Sequence, residues 1–271
     1  MRKTCVLLLV MTLASLAAVT AEAQAPPPAK NDQLIGEVYW VEGAFDFWLP
    51  SPNMLIQSES LGIVGTRIDA VSDLGIEKTR FRQLDLVLRP AKKHKFYLAY
   101  TPIKYEASNE ISRRLVFNGI AFQVGLPVET TLQWSAWRFG YEYDFLYMKR
   151  GFVGVLFEAK YTDVEINLIS AIAREYAKAT APVPAIGGIG RAYLAPNVAV
   201  TFEVSGIGLP SQIAENVEAS YIEYDFYGTF NINRYVGARV GFRTLDVHYK
   251  IDFDQGDFAL KGPYFGVVAR F

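Results

Sequence analysis

Acid–base chemistry in this chain has two imidazoles to draw on, His94 and His248. His248 shares a strand face with Asp246 and Lys250, because residues two apart on a strand point the same way. An imidazole beside a carboxylate is a minimal acid–base pair, so His248 and Asp246 are the candidate catalytic residues. Spacing places no nucleophile beside them. His94 lies in RPAKKHK, a tight turn rich in lysine, where a solvated role suffices. The stretch DFDQGD (252–257) offers Asp252, Asp254 and Asp257 in an expected outer loop and resembles the start of a calcium loop. Its twelfth position is Pro263 rather than Glu, so it is no EF-hand. GGIGR (187–191) lacks the Lys-Ser/Thr of a phosphate loop. Its glycines suit close packing or a bulge within a strand. No metal and no cofactor is expected.

The elements that must position these residues alternate with a period of two. In WRFGYEYDF, Trp137, Phe139, Tyr141, Tyr143 and Phe145 share one face, and Arg138, Gly140, Glu142 and Asp144 the other. The split recurs around Val153–Tyr161, Val198–Val204, Ile222–Ile232 and Val236–Phe242, and at Leu84, Leu86 and Leu88. Ten long strands are expected, at about 36–49, 79–90, 94–107, 129–146, 151–169, 185–194, 197–207, 217–232, 235–251 and 258–271. Tight turns (PAKK, YMKR, APN, NR) alternate with longer connections near 50–78, 108–128, 170–184, 208–216 and 252–257. Short turns at one end and long loops at the other are the pattern of an antiparallel transmembrane β-barrel, with the short turns periplasmic. Ten strands is the reading; eight or twelve are the alternatives, and residues 60–78 could be an outer loop, a plug or two further strands. An even count places both ends of the chain on the periplasmic side. Several strands change parity partway: Phe242 is on the even apolar face, but Leu245, Val247, Tyr249 and Ile251 are odd. The switch falls about ten residues from the tight turn, the length a tilted strand needs to cross a bilayer. It marks either the exit from lipid or a bulge.

Composition agrees with an exported barrel. The chain is 51% hydrophobic and 14% aromatic, with 16 Tyr and 18 Phe, and no later segment offers the ~18 apolar residues of a membrane helix. Residues 1–23 read as a signal peptide: Arg2 and Lys3, an apolar run, then Ala21-Glu22-Ala23. Residues 24–33 are a Pro-rich lead-in, and 34–271 the barrel. Cys5, the single cysteine, precedes the apolar run, so neither lipoprotein acylation nor a disulfide framework is expected. Of 27 basic and 28 acidic residues, removing Arg2, Lys3 and Glu22 leaves 25 against 27, which gives no support to nucleic-acid binding.

The last strand is the specific motif. Phe265, Val267, Ala269 and the terminal Phe271 form one apolar row. This row resembles the C-terminal strand of Gram-negative outer-membrane β-barrel proteins. That resemblance implies an outer-membrane location, contact with outer-membrane lipid, and recognition of the row by the barrel-assembly machinery. Tyr39, Phe47, Trp48, Trp137, Tyr143 and Tyr147 lie near strand ends, where aromatic girdles are expected.

With the apolar faces toward lipid, the opposite faces line the lumen. They carry Glu42, Asp46, Asp85, Arg89, Arg138, Glu142, Asp144, Glu158, Lys160, Arg191, Glu203, Glu223, Asp225, Arg239, Arg243 and Arg270. Both signs are interspersed, which favours a salt-bridged plug over a selective pore. The expected function is that of a structural barrel or narrow porin-like channel. The alternatives are a hydrolase acting on lipid or peptide at the outer rim, as some outer-membrane lipases, lipid A deacylases and proteases do with a His and a Ser or Asp, and a loop-based binding module.

Overall fold

The computed structural model describes residues 34–60, 63–209, 217–251 and 254–271. The expected signal peptide (1–23) and Pro-rich lead-in (24–33) lie outside the described residues. Sixteen strands are formed among those described. The first stave of the barrel is β1 (Val41–Trp48) followed by β2 (Ser51–Gln57). Three two-residue strands follow: β3 (Glu59–Ser60), β4 (Ile63–Val64) and β5 (Ile68–Asp69). Next come the staves β6 (Phe81–Ala91) and β7 (His94–Glu110), then a small hairpin of β8 (Leu115–Phe117) and β9 (Ile120–Phe122). The remaining staves are β10 (Pro127–Met148), β11 (Gly151–Ile169), β12 (Arg174–Ala195), β13 (Val198–Leu209), β14 (Val217–Asn231), β15 (Val236–Ile251) and β16 (Asp254–Arg270).

Each stave pairs antiparallel with the next, and β16 returns to β1 to close a barrel of ten. Closure gives every stave two paired neighbours at the inner end of the ring, the condition for a sheet in lipid. β1 and β2 are one stave: Trp48 faces Tyr264 and Ser51 faces Lys261 in an unbroken register across Leu49–Pro50. Pro50 has no N–H to donate, which is why the ladder skips there.

β12 departs from expectation. It begins at Arg174, not near residue 185, and the connection expected over 170–184 is a tight turn. Pro182 and Pro184 fall within that expected connection. They are tolerated because β12 pairs with β13 only over Ile186–Ala195. Above Ile186, β12 holds on to β11 alone, and an edge strand accepts proline. β15 likewise runs to Ile251 and β16 begins at Asp254, so residues 254–257 of the expected outer loop lie in a strand.

The parity switch is not a bulge. Along β15 the register with both neighbours is continuous from Val236 to Ile251. What changes is the chemistry on a constant face. Near the tight turns, the outward side chains are apolar and exposed (Val240, Phe242) and the inward ones charged (Arg239, Arg243). Toward the other end, the inward Leu245 is buried and the outward Asp246 and His248 are polar and half-exposed. Residues 63–80 and 111–126 fold into that outer end and fill it. Ile68, Leu74, Ile76, Leu115, Phe117 and Phe122 pack there against inward Met54, Ile103, Leu132, Leu168 and Leu260. The segment 60–78, left open as loop, plug or strands, is thus part of a plug over its described residues.

The girdle also needs correction. Tyr39, Trp48 and Tyr147 point inward: Tyr39 and Trp48 are buried, and Tyr147 donates to Glu37 at 2.7 Å. Tyr147 changes face because a bulge between Tyr143 and Leu146 turns both Phe145 and Leu146 outward. Trp137 stays on the outer wall, stacked on Tyr100 at 4.2 Å.

Candidate functional site

Two polar constellations stand out, one inside the barrel and one on its wall. The inner half of the lumen is crossed by linked ion pairs. At the mouth beside the tight turns, Glu37 accepts from Arg89 (3.1 Å), Tyr147 (2.7 Å) and Tyr193 (2.6 Å). Arg270 pairs with Glu42 and donates to Asn231 at 2.6 Å. Lys95 sits between Glu142 (2.5 Å) and Asp144 (3.0 Å), 3.7 Å from the centre of the Phe152 ring. Arg239 clamps Asp46 and Asp85. Deeper, Arg138 reaches Glu158, Glu203 and Glu223 at 3.3–3.4 Å. Lys160 bridges Glu158 (3.1 Å) and Glu223 (2.6 Å). Arg243 joins Asp225 and lies 3.4 Å from Glu223. Arg191 donates to Thr201 (2.9 Å) and Tyr227 (3.2 Å) rather than closing a tight ion pair.

Every charge assigned to the lumen from its strand face is accounted for in that network. Participants not read from the sequence include Glu37, whose partners come from three different staves, Lys95, which is directly opposed to Glu142 on the neighbouring stave, and the tyrosines that bridge the carboxylates. Two voids lie among these side chains, of about 60 and 40 Å³. Each has room for one or two waters, given ~30 Å³ per water in the liquid.

The candidate acid–base pair is rearranged. His248 and Asp246 both lie on the outer wall of β15, but they do not pair. His248 Nδ1 is 2.5 Å from Oδ1 of Asp257 on β16, and Asp246 binds Lys261 at 3.2 Å. The cause is the sheet: directly opposed residues on neighbouring strands are closer than residues two apart on one strand, and Asp257 is directly opposite His248. Asp257 is therefore a strand residue with a partner, not a free ligand of a calcium loop. Its other oxygen accepts from Arg67 at 3.2 Å. Asp254 is also in β16, and Asp252 lies outside the described residues. On the other side of His248, directly opposed on β14, is Ser220. No spacing within one strand pointed to Ser220. Counting outward from the tight turn between Asn231 and Gly237, which set the register, would have found it.

His94 is partly buried rather than free in solvent, with Nδ1 2.6 Å from the Tyr141 hydroxyl.

No protein-family model matches this sequence, and no curated protein matches it. Solved structures do. The outer-membrane protease OmpT of Escherichia coli is similar over 85% of this chain and 96% of its own, at 8% identity and a TM-score of 0.58. The translocator domain of the autotransporter NalP of Neisseria meningitidis covers 96% of this chain and 95% of its own at 7% identity, with a TM-score of 0.44. Ail of Yersinia pestis covers 85% and 99% at 9% identity, with a TM-score of 0.37. The likeness to the first is one of fold: a closed, antiparallel outer-membrane β-barrel. The wall agrees with it. A belt of exposed Phe, Val, Leu and Ile circles the staves, including Leu84, Phe139, Phe226, Val240 and Phe265, each at least half exposed or nearly so. On β14 it runs outward from Phe230 to Ile222 and ends there. Such a surface is compatible with lipid, not water. The chain is an integral protein of the bacterial outer membrane.

Proposed function

We propose that this barrel is non-conducting, a scaffold that holds a fixed wall and rim in the outer membrane rather than a porin-like passage. One observation carries the reading: the lumen is filled twice, by different means. The inner half is crossed by charges paired to each other, and the outer half is packed with apolar side chains from two inserted segments. An ion crossing the first layer would have to displace buried ion pairs. Crossing the second would require entering a tightly packed, mostly apolar core, which is costlier still. The two plug segments are tied to each other as well as to the wall. Thr66 N donates to Val116 O at 2.8 Å, and Arg113 holds Asp73 at 2.5 Å.

The test is conductance of the full-length folded protein in planar bilayers. The reading expects a baseline indistinguishable from bare lipid, and brief openings only when residues 111–126 are deleted. Stable single-channel steps from the intact protein would sink it.

A further inference from the structure

One row of side chains on the outer wall carries more than closure of the barrel requires. Crossing four staves at one level, the register places Gly208, Ser220, His248 and Asp257 side by side. We propose that this row is an esterase site: Ser220 is the nucleophile, His248 its base, Asp257 the group that orients the base, and the substrate a fatty-acyl ester of a membrane lipid.

Geometry supports each assignment. Directly opposed residues on antiparallel strands have Cβ atoms ~4.5–5.5 Å apart, so the Ser220 hydroxyl is within rotamer reach of the His248 ring. Asp257 takes Nδ1 at 2.5 Å, which leaves Nε2 as the nitrogen that serves the serine. Arg67 holds the second oxygen of Asp257 at 3.2 Å, so the carboxylate is itself oriented. This is nucleophile, base and orienter in sequence.

The level of the row indicates the substrate. Ile222 is the last lipid-facing residue of β14, and Ser220 is the next outward position beyond it. From Phe230 to Ile222 a strand of ~3.4 Å per residue, tilted ~40–45°, climbs about 20 Å, most of the ~25 Å height of the apolar band of such barrels. Ser220 therefore sits at the polar boundary, where lipid ester groups lie. Beside it the wall is split. β12 and β13 part above Ile186, and among the described residues a groove of about 790 Å³ opens there, lined by Pro184, Ile186, Gly206, Gly208, Ser220 and Ile222. Among the described residues a Cβ on Gly208 would meet nothing within 4 Å. The groove lies at the boundary level of the wall, is mostly apolar, and accepts an acyl chain. Lys250, one step above His248 on the same face, is exposed and offers a cation to a lipid phosphate.

In the reaction, Ser220 Oγ attacks the ester carbonyl and its proton passes to His248 Nε2. The C–O bond to the alcohol breaks, and that oxygen leaves with the proton from His248. Water then attacks the acyl-serine, giving its proton to His248. Ser220 recovers that proton as the free fatty acid departs. The products are one fatty acid and one alcohol, from one ester and one water.

The test uses the full-length protein folded in vesicles, first of phosphatidylethanolamine and then of lipopolysaccharide, with released fatty acid measured. Release from either supports the site, and which lipid is cleaved identifies the ester's source. Ser220→Ala should reduce release by at least ~10³-fold, and Asp257→Asn by a comparable factor through loss of the correct His248 tautomer. A fluorophosphonate should label Ser220 in the native protein and not in His248→Ala. Gly208→Leu should slow long-chain esters more than short-chain ones. All these positions are exposed or half-exposed on the wall, and the gel shift on boiling that marks a folded barrel checks each variant. No release from either lipid, release unchanged in Ser220→Ala, or labelling elsewhere would overturn the proposal. Conductance reads the lumen and hydrolysis reads the wall, so the scaffold reading and the esterase reading fail separately.

Discussion

The two halves of this barrel use the same staves and opposite chemistries. In the inner half, charges face in and apolar side chains face out; on β15 these are Arg239 and Arg243 against Val240 and Phe242. In the outer half, Leu245 and Val247 face in, and Asp246, His248 and Lys250 face out. The register does not change between them. The difference shows that the medium outside the wall, rather than the strand, decides which parity is apolar. Against lipid the lumen must take the polar groups, and they must then satisfy one another. Against water the lumen becomes an ordinary dry core. The plug is needed only in the second case, since a ring of inward apolar side chains around a vacant centre would lose the contacts that make burial favourable.

The largest expected effect comes from breaking each filling in turn. Arg138→Ala removes the shared partner of Glu158, Glu203 and Glu223 and should lower stability by about 3–5 kcal/mol. Leu132→Ala, at a fully buried position of the outer core, should lower it by about 2–4 kcal/mol. The urea midpoint of barrel refolded in phospholipid vesicles measures both. If Arg138→Ala proved milder than Leu132→Ala, the ion network would be a loosely hydrated lining and not a structural filling.

A smaller contrast tests the wall. Phe226→Arg, in the middle of the belt, should cost roughly 2–4 kcal/mol in the same assay. Thr180→Arg, on the outward face of the part of β12 beyond the belt, should stay within about 0.5 kcal/mol. Equal effects would mean that the lipid boundary has been drawn at the wrong height.

The smallest effect concerns the plug. Burial raises the Asp73 carboxyl, but the hydrogen bonds from Arg113 and the Asp69 N–H, with the Arg113 charge, outweigh it and hold the group below the usual carboxylate range. A lowered folded value means its stabilisation is present above about pH 4, the unfolded value, and is lost as pH falls through the folded one. Protease nicking within 111–126 should therefore rise below about pH 4 in the native protein. Asp73→Asn should be nicked more readily at neutral pH and show a flatter pH dependence. An unchanged acid response in that variant would shift the cause to another group.

Much of the fold was legible because lipid imposes a simple rule. Alternation located the staves, and tight turns such as Asn233–Arg234 marked the inner end. The errors came where a residue was judged by type and not by neighbour. The stretch 170–184 looked like a long connection, yet most of it, Pro182 and Pro184 included, sits in β12 where that strand lacks its β13 partner. Tyr147 looked like girdle, but an upstream bulge turned it inward. Asp246 looked like the partner of His248, while the neighbouring strand supplied a closer one.

Local periodicity thus specified the ladder: which residues form staves, which parity faces out, and where the outer medium changes from lipid to water. Those properties depend on each strand's contact with its surroundings, so each strand states them alone. Tertiary structure decided which charges meet, what fills the outer lumen, and that Ser220, His248 and Asp257 stand in one row. Such pairings depend on register between strands and on segments far apart in the chain, and no single strand carries that information.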